Sequence, residues 1–286
     1  MTSPSKKVWT ILDIINWGKD YLSNHGISNS KLELEWFLAD LLECNRIDLY
    51  VRFEEPLNPI ELDKIRDFVT RRKNHEPFQY ILNKAPFYGY DFIVSPDVLI
   101  PRPETETLID LTKNLGINTN FLEVGTGSGC IAVTLLKENI LSSGIAIDIC
   151  ESALKIAHKN ALNNSISNLE FIKIDFLKDH INQTFDCIIS NPPYISPIEL
   201  NTLDDNVVKY EPHIALTDSN DGLSFYHRFA EVSKKLLNPN GYLLLETGGA
   251  NQINSVNQIF QNSNYSTIIY KDQNEEERFI EVRFNQ

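Results

Sequence analysis

Apolar residues recur along this chain in two rhythms, and the change between them divides it. Over the first part the spacing is helical. Residues 10–24 read as an amphipathic helix opened by Thr10 and closed near Gly26. Ser30-Lys31-Leu32-Glu33 reads as a capping box, with Leu34, Phe37, Leu38, Leu41 and Leu42 following at helical spacing. Asn58-Pro59-Ile60-Glu61 supplies an N-cap, a proline at the first helical position and an acid at the third. That helix runs to about Lys73 with Ile65, Phe68 and Val69 inward. A small helical bundle over residues 1–76 is therefore expected, serving either as a packing appendage or as a grip on a macromolecular substrate. Residues 77–100 read as a β-hairpin connector with Gly89 at its turn. From 101 to 286, short apolar runs alternate with helical stretches. Strands are predicted at 119–124, 143–148, 169–174, 185–190 and 241–246, with a final pair near 265–270 and 277–284. No convincing helix separates the last two, so an antiparallel hairpin at the sheet edge is expected. The Asn-rich stretch 250–264 reads as a surface helix and loop. The fold class is α/β, a Rossmann-like domain behind a helical one.

The candidate chemistry sits where the strands end. Residues 121–129 read Phe-Leu-Glu-Val-Gly-Thr-Gly-Ser-Gly, an apolar strand running into three alternate glycines, Gly125, Gly127 and Gly129, before a helix. Such a loop lets backbone approach a ligand, and the helix start offers unpaired N–H groups. It is not the dinucleotide fingerprint, which needs glycine where Cys130 stands. Glu123 just before the turn would repel a pyrophosphate but suits a cation, such as the amino group of a methionine moiety. Asp148 stands 19 residues after Gly129, where a Rossmann-like fold places the acid that holds ribose hydroxyls. It suits a helix N-cap for 151–163 equally well. The strand at 169–174 ends in Asp175-Phe176, an acid able to accept from an exocyclic amine and a ring able to flank a base. The strand at 185–190 runs into Asn191-Pro192-Pro193-Tyr194. Proline fixes its own φ and pushes the preceding residue out of the helical region. The Asn191 side-chain oxygen and the Pro192 carbonyl are thus expected to face one point, a pair of acceptors suited to a planar NH2 group. Ligands of open α/β sheets bind outside the carboxyl ends of the strands, so four such features in order point to one site.

Composition narrows the surroundings. The chain has 286 residues, 42% hydrophobic and 23% charged, ordinary globular material sufficient for two domains. No run is apolar enough to span a membrane, and Asp13, Asn16 and Lys19 interrupt any secretory segment, so a cytoplasmic location is expected. The cysteines, Cys44, Cys130, Cys150 and Cys187, lack C-x-x-C spacing and read as buried reduced thiols. The histidines show no metal spacing, and His213 reads as structural; no metal is expected. Residues 1–84 carry 12 Lys and Arg against 13 Asp and Glu, a net of −1; the rest carries 14 against 26, a net of −12. Duplex DNA is bound by neutralising phosphates, so direct DNA binding is not expected, whereas a basic protein surface would be attracted.

Glu-x-Gly-x-Gly-x-Gly, Asp148, Asp175-Phe176 and Asn-Pro-Pro-Tyr together resemble a class I S-adenosylmethionine-dependent methyltransferase. Asn-Pro-Pro-Tyr is shared by enzymes that methylate an amino group on an sp2 carbon, adenine N6 or a glutamine amide. Further segments resemble the HemK/PrmC family, the peptide-chain release factor glutamine methyltransferases: Pro77-Phe78-Gln79-Tyr80-Ile81, Phe87-Tyr88-Gly89, the run from Val98 through Pro101-Arg102-Pro103-Glu104-Thr105-Glu106, and Tyr210-Glu211-Pro212 with Ala215-Leu216. The resemblance extends from about Arg71 onward. Asn83 departs from it, standing where the family has glycine, at a turn where asparagine tolerates positive φ.

The resemblance implies S-adenosylmethionine as cofactor, held by Glu123, Gly125, Thr126, Gly127, Ser128, Gly129, Asp148, Asp175, Phe176 and Asn191. It implies Asn191, Pro192 and Tyr194 as catalytic residues, with Pro193 beside them on the substrate. Tyr194 either packs on the flat amide or fills core. Arg102, Glu104 and Glu106 border the substrate mouth, unless Arg102 pairs with Glu104 or Glu106 as a structural salt bridge. The implied substrate is the glutamine of the Gly-Gly-Gln motif of class I release factors, methylated at N5 by a monomer. Rival readings are an adenine-N6 methyltransferase, a glutamine methyltransferase of a ribosomal protein, and a non-catalytic binding protein. The acidity and lack of a base-reading domain weigh against the first, and the intact Asn-Pro-Pro-Tyr against the last.

Overall fold

A computed structural model describes residues 7–116 and 119–284. They form two units, one ending at Leu82 and one beginning at Asn83. The first contains helices α1 (Ile11–Ser23), α2 (Ser30–Leu41), α3 (Asp48–Val51), α4 (Pro59–Arg72) and α5 (Phe78–Leu82). Reciprocal side-chain and backbone hydrogen bonds cap α1 through Thr10 and Asp13, and α4 through Asn58 and Glu61 behind Pro59. The capping box expected at Ser30 does not form. Ser30 is already the first helical residue, and its buried hydroxyl donates to the Lys19 carbonyl at 3.1 Å, tying α2 to α1. Leu22, Leu34, Leu38, Leu49 and Phe68 fill the bundle, and Phe37 stacks on Phe68 at 4.2 Å.

The segment expected as a β connector opens with a helix. The Pro77 carbonyl accepts from the N–H groups of Tyr80 and Ile81, and the Phe78 ring meets Phe68 edge-on at 6.2 Å. Proline suits a helix start, and burying Phe78 on the bundle favours the turn over an extended chain. The hairpin follows in the second unit as β1 (Lys84–Phe87) and β2 (Tyr90–Ile93), joined by Tyr88 and Gly89, both at positive φ as a tight hairpin requires. Asn83 also sits at positive φ, 53°.

Beyond the 3-10 turn Pro103–Thr105 come α6 (Glu106–Leu115), β3 (Asn120–Val124), α7 (Cys130–Lys137), β4 (Ser143–Asp148), α8 (Glu151–Asn163), β5 (Leu169–Lys173) and β6 (Phe185–Ser190). Then follow α9 (Pro197–Leu200), α10 (Asp205–Tyr210), α11 (His213–Leu216), α12 (Ser224–Leu236), β7 (Leu237–Glu246), α13 (Ala250–Asn262), β8 (Tyr265–Lys271) and β9 (Glu277–Phe284). The sheet order is β5-β4-β3-β6-β7-β9-β8. The strands from β5 to β7 are parallel; β9 runs antiparallel to both β7 and β8, which forms the edge.

Both faces of this sheet are covered, which is why its strands read as apolar runs rather than alternations. Phe121, Cys187, Ile189, Tyr242 and Leu244 face one core with α7 and the hairpin residues Phe87 and Phe92. Leu122, Ile188, Leu243, Leu245 and Ile280 face the other with α12 and α13. The Asn-rich stretch is more than a surface helix: Ile253, Val256 and Phe260 of α13 are fully buried at helical spacing. The chain leaves β3 toward β4 and β5 on one side, and returns through β6 toward β7 on the other. That reversal places the crevice at the carboxyl ends of β3 and β6. Among the described residues no helix is long and apolar enough to cross a membrane, and no cluster of His, Cys, Asp and Glu could hold a metal.

Candidate active site

A cleft of about 730 Å³ opens at those strand ends. Its floor is the loop after β3. Gly125, Gly127 and Gly129 all have positive φ, 74°, 54° and 79°, which glycine adopts without a Cβ penalty. At Gly129 a Cβ would also press on Ala157 of α8 at 3.0 Å. The Gly125 and Thr126 N–H groups donate to the Ile147 carbonyl at 2.9 and 3.0 Å, which holds the loop over β4. Ser128 is buried, and its carbonyl accepts from the Asn160 amide at 2.8 Å.

Asp148 closes β4 beside this loop. Its carboxylate accepts from the Gly127 N–H at 2.9 Å and from the Cys150 N–H at 2.9 Å. Burial pushes its carboxyl up, and those N–H groups oppose the rise. It does not cap α8, whose N-cap residue is Cys150. Glu123 is 1% exposed beneath the loop, and Thr126 Oγ1 donates to its Oε2 at 2.5 Å. Burial raises the Glu123 carboxyl to about 8 against that hydroxyl and the Ala132 N–H. Its Oε1 has no hydrogen-bond partner among the described residues. Asp175 pairs with Lys178 at 2.8 Å and also accepts from the Leu177 N–H. The Phe176 ring is tilted against Phe229 at 4.6 Å and stacked beyond Phe225, so its position is fixed by core packing.

Asn191 follows β6 directly. Its Nδ2 donates to Thr105 Oγ1 at 3.1 Å, and Thr105 Oγ1 donates to Glu246 Oε2 at 2.8 Å. No hydrogen bond engages Asn191 Oδ1 or the Pro192 carbonyl among the described residues. Pro192 is buried. The Tyr194 ring packs on the second core, its hydroxyl pushed up by burial, and its carbonyl accepts from Gln252 at 2.9 Å.

Of the residues singled out in the sequence, Gly125, Gly127, Asp148, Asp175, Phe176, Asn191 and Pro193 stand on the cleft wall. Glu123, Thr126, Ser128, Gly129, Pro192, Tyr194, Arg102 and Glu104 are not among the residues that line it. Arg102 pairs with neither Glu104 nor Glu106. Its guanidinium donates to the buried Glu211 at 2.6 Å, and Glu211 also accepts from the Ile100 N–H. Glu106 is already engaged by the Tyr88 N–H at 2.7 Å. Cys130 and Cys187 are buried free thiols, but Cys44 and Cys150 are only half-buried, and Cys150 stands on the cleft wall because it follows a strand end.

The structure adds residues the sequence reading passed over. Thr105 and Glu246 stand behind Asn191. Fully buried Asn160 ties Ser128 to both backbone groups of Ile93. Asp218, on the cleft wall, accepts from three backbone N–H groups, those of Asn220, Gly222 and Ser224. Burial would raise its carboxyl, but the bonds from Ser224, Asn220 and Gly222 outweigh it and hold it low. The turn-rich run Asp218-Ser219-Asn220-Asp221-Gly222 carried that signal. His213, read as structural, donates from Nε2 to the Val208 carbonyl and also lines the cleft.

Comparison with known proteins identifies both parts of the chain. Residues 13–82 match the PrmC N-terminal domain and residues 116–282 a methyltransferase domain. The release factor glutamine methyltransferase of Geobacter sulfurreducens is 38% identical over 243 residues, covering 85% of this chain and 85% of that protein. The enzyme of the same name from Fusobacterium nucleatum is 38% identical over 275 residues, covering 94% of this chain and 77% of that one. A methyltransferase structure from Pyrococcus furiosus superposes with a TM-score of 0.52 at 21% identity, over 69% of this chain and 90% of that one, a likeness of fold. The chain is a methyltransferase and belongs to the release factor glutamine methyltransferase family.

Proposed function

We propose that the protein transfers a methyl group from S-adenosylmethionine to the side-chain amide nitrogen of the glutamine in the Gly-Gly-Gln motif of class I release factors. The observation that carries this reading is Asn191. It stands at the carboxyl end of β6, on the wall of the cleft that the glycine loop and Asp148 also line, with its NH2 bound to Thr105. Its carbonyl oxygen is left to accept.

The residues present suit the cofactor. The cleft volume falls in the range of small-molecule sites. Asp148, already fixed by two N–H groups, keeps lone pairs for ribose hydroxyls. Asp175 and Phe176 bracket an adenine. Glu123 lies beneath the loop with its carboxyl raised to about 8 by burial, and an ammonium group above the loop would draw it into its charged form. When bound, the cofactor supplies an electrophilic sulfonium methyl group.

An amide nitrogen is a poor nucleophile because its lone pair is delocalised. Asn191 Oδ1 and the Pro192 carbonyl each accept one hydrogen of the substrate NH2. They aim the nitrogen at the methyl carbon and push density onto it as it becomes tetrahedral. This is positioning by fixed dipoles, with no strong base required. The nitrogen forms its new bond as the sulfur regains the S–C pair, and the surplus proton leaves to water. The Arg102–Glu211 pair, its carboxylate buried and its guanidinium partly exposed, braces the segment before the cleft. The net charge of −12 over residues 85–286 suits a basic partner protein and disfavours DNA. Incubation with methyl-labelled cofactor and a purified release factor, followed by peptide mapping, tests the proposal. Label on the Gly-Gly-Gln glutamine supports it; label on adenine in nucleic acid, with none on the release factor, overturns it.

A further inference from the structure

Behind Asn191, side chains from distant parts of the second unit form a line. Glu246 closes β7, Thr105 ends the 3-10 turn before α6, and Asn191 follows β6. Thr105 is 3% exposed and Glu246 2%, so bulk water does not substitute for either contact. Nothing in the shape of a carboxamide decides which end faces Thr105, because its oxygen and nitrogen are nearly isosteric. The decision falls to donors and acceptors. A carboxylate only accepts, and a hydroxyl has one proton to give. With Glu246 ionised, the Thr105 proton is committed to Oε2, and Oγ1 presents lone pairs to Asn191. Only the NH2 end of Asn191 can then face Thr105.

We propose that Thr105 and Glu246 are positioning residues that set the polarity of the Asn191 amide, so that Oδ1 and not NH2 meets the acceptor nitrogen of the substrate. This rests on the role given to Asn191 above. An inverted Asn191 would point a donor at a substrate NH2, replacing an attractive contact with a repulsive one. The segment Pro103-Glu104-Thr105 thereby acts on the reaction without bordering the cleft.

The arrangement is sensitive to protonation. A neutral Glu246 can itself donate to Thr105 Oγ1, which turns the hydroxyl proton toward Asn191 and favours the inverted amide. Burial raises the Glu246 carboxyl to about 7, opposed by the Thr105 hydroxyl and Arg278, raised further by Glu104 and lowered by Arg102. The Tyr194 hydroxyl also feels this charge, and the Tyr226 hydroxyl donates to the Glu246 main-chain carbonyl. Turnover therefore falls as pH drops through the Glu246 titration.

The test compares single-turnover rates on a release factor, with cofactor affinity measured calorimetrically on each variant. Thr105→Val keeps the shape and removes the hydroxyl. It should lower the methyl-transfer rate by about tenfold to a hundredfold, as for loss of an oriented active-site dipole acting at one remove, with cofactor affinity unchanged. Thr105→Ser should restore the rate to within a few-fold. Added to Asn191→Ala, Thr105→Val should cost little more, because both act through one amide. Glu246→Gln can donate to Thr105 at any pH, so its slow rate should lose the acid limb near neutrality. If Thr105→Val keeps the native rate while Asn191→Ala loses it, the positioning idea fails and the role of Asn191 stands. Full additivity of the two, or an acid limb retained in Glu246→Gln, also overturns it. Native turnover in Asn191→Ala would instead sink the reading on which it rests. Should Thr105→Val not fold, the serine variant and the pH profile of Glu246→Gln decide alone.

Discussion

The two walls of the cleft are held by different means. On the proposed cofactor side, Asp148 is fixed by backbone N–H groups of the glycine loop and of Cys150. On the acceptor side, the Asn191 side chain is held, among the described residues, through other side chains, Thr105 and then Glu246. Backbone donors neither titrate nor mutate, so the groups that hold Asp148 stay the same across pH, although its own carboxyl titrates. A side-chain relay can be inverted by one proton or removed by one substitution. The wall that meets the transition state is thus the more easily disturbed one, and variants on the two walls should separate cleanly into binding and rate effects.

The largest separation is expected at Asn191. Asn191→Ala should lower turnover by roughly two to three orders of magnitude, while calorimetry finds cofactor affinity nearly unchanged. Comparable losses in both would merge the two walls into one. Asp148→Ala should do the opposite, weakening cofactor binding by about 1–3 kcal/mol, the cost of unpairing hydrogen bonds to a charged acceptor. Turnover at saturating cofactor should then stay close to native, and unaltered affinity with the fold intact would remove Asp148 from the site.

A smaller effect concerns stability. The folded Glu123 carboxyl titrates near 8, above its ordinary 4.5, because it is buried. Between those values the folded protein binds more protons than the unfolded chain, so stability falls as pH rises through that window. Glu123→Gln removes this contribution. Denaturant midpoints should show the native protein losing on the order of 1–3 kcal/mol more than the variant between pH 5 and 9. Equal slopes would mean that Glu123 titrates normally. The smallest effect is on encounter: raising ionic strength from about 0.05 to 0.3 M should lower kcat/KM for a basic protein substrate by several-fold and leave kcat alone. Salt-independent kcat/KM would remove charge steering from the account.

The contrast between the walls also explains what the sequence disclosed. The glycine loop, Asp148 and Asn191 each lie at the end of an apolar run, so their place followed from strand pattern and the strand-end rule. The backbone partners of the glycine loop and of Asp148 lie close by across neighbouring strands. Thr105 and Glu246 are 141 residues apart, and Arg102 and Glu211 are separated by 109. Such pairs exist only once the sheet has assembled, and local periodicity carries no trace of them. That is why the sequence points Arg102 to partners in its own segment, whereas the structure pairs it with Glu211. The Ser30 box failed for a related reason: its hydroxyl is taken by Lys19, a tertiary contact that outcompetes a local cap. The α13 stripe of Ile253, Val256 and Phe260 was present in the sequence but masked by surrounding asparagines and glutamines.

The central claim is that Asn191 directs methyl transfer to a glutamine amide. It is tested most directly by mass spectrometry of an intact release factor incubated with S-adenosylmethionine and either the native protein or Asn191→Ala. The account predicts one added methyl group on the glutamine of the Gly-Gly-Gln motif with the native protein, and almost none with a variant that still binds the cofactor. Equal methylation by both, or a methyl group on any other residue, would contradict it.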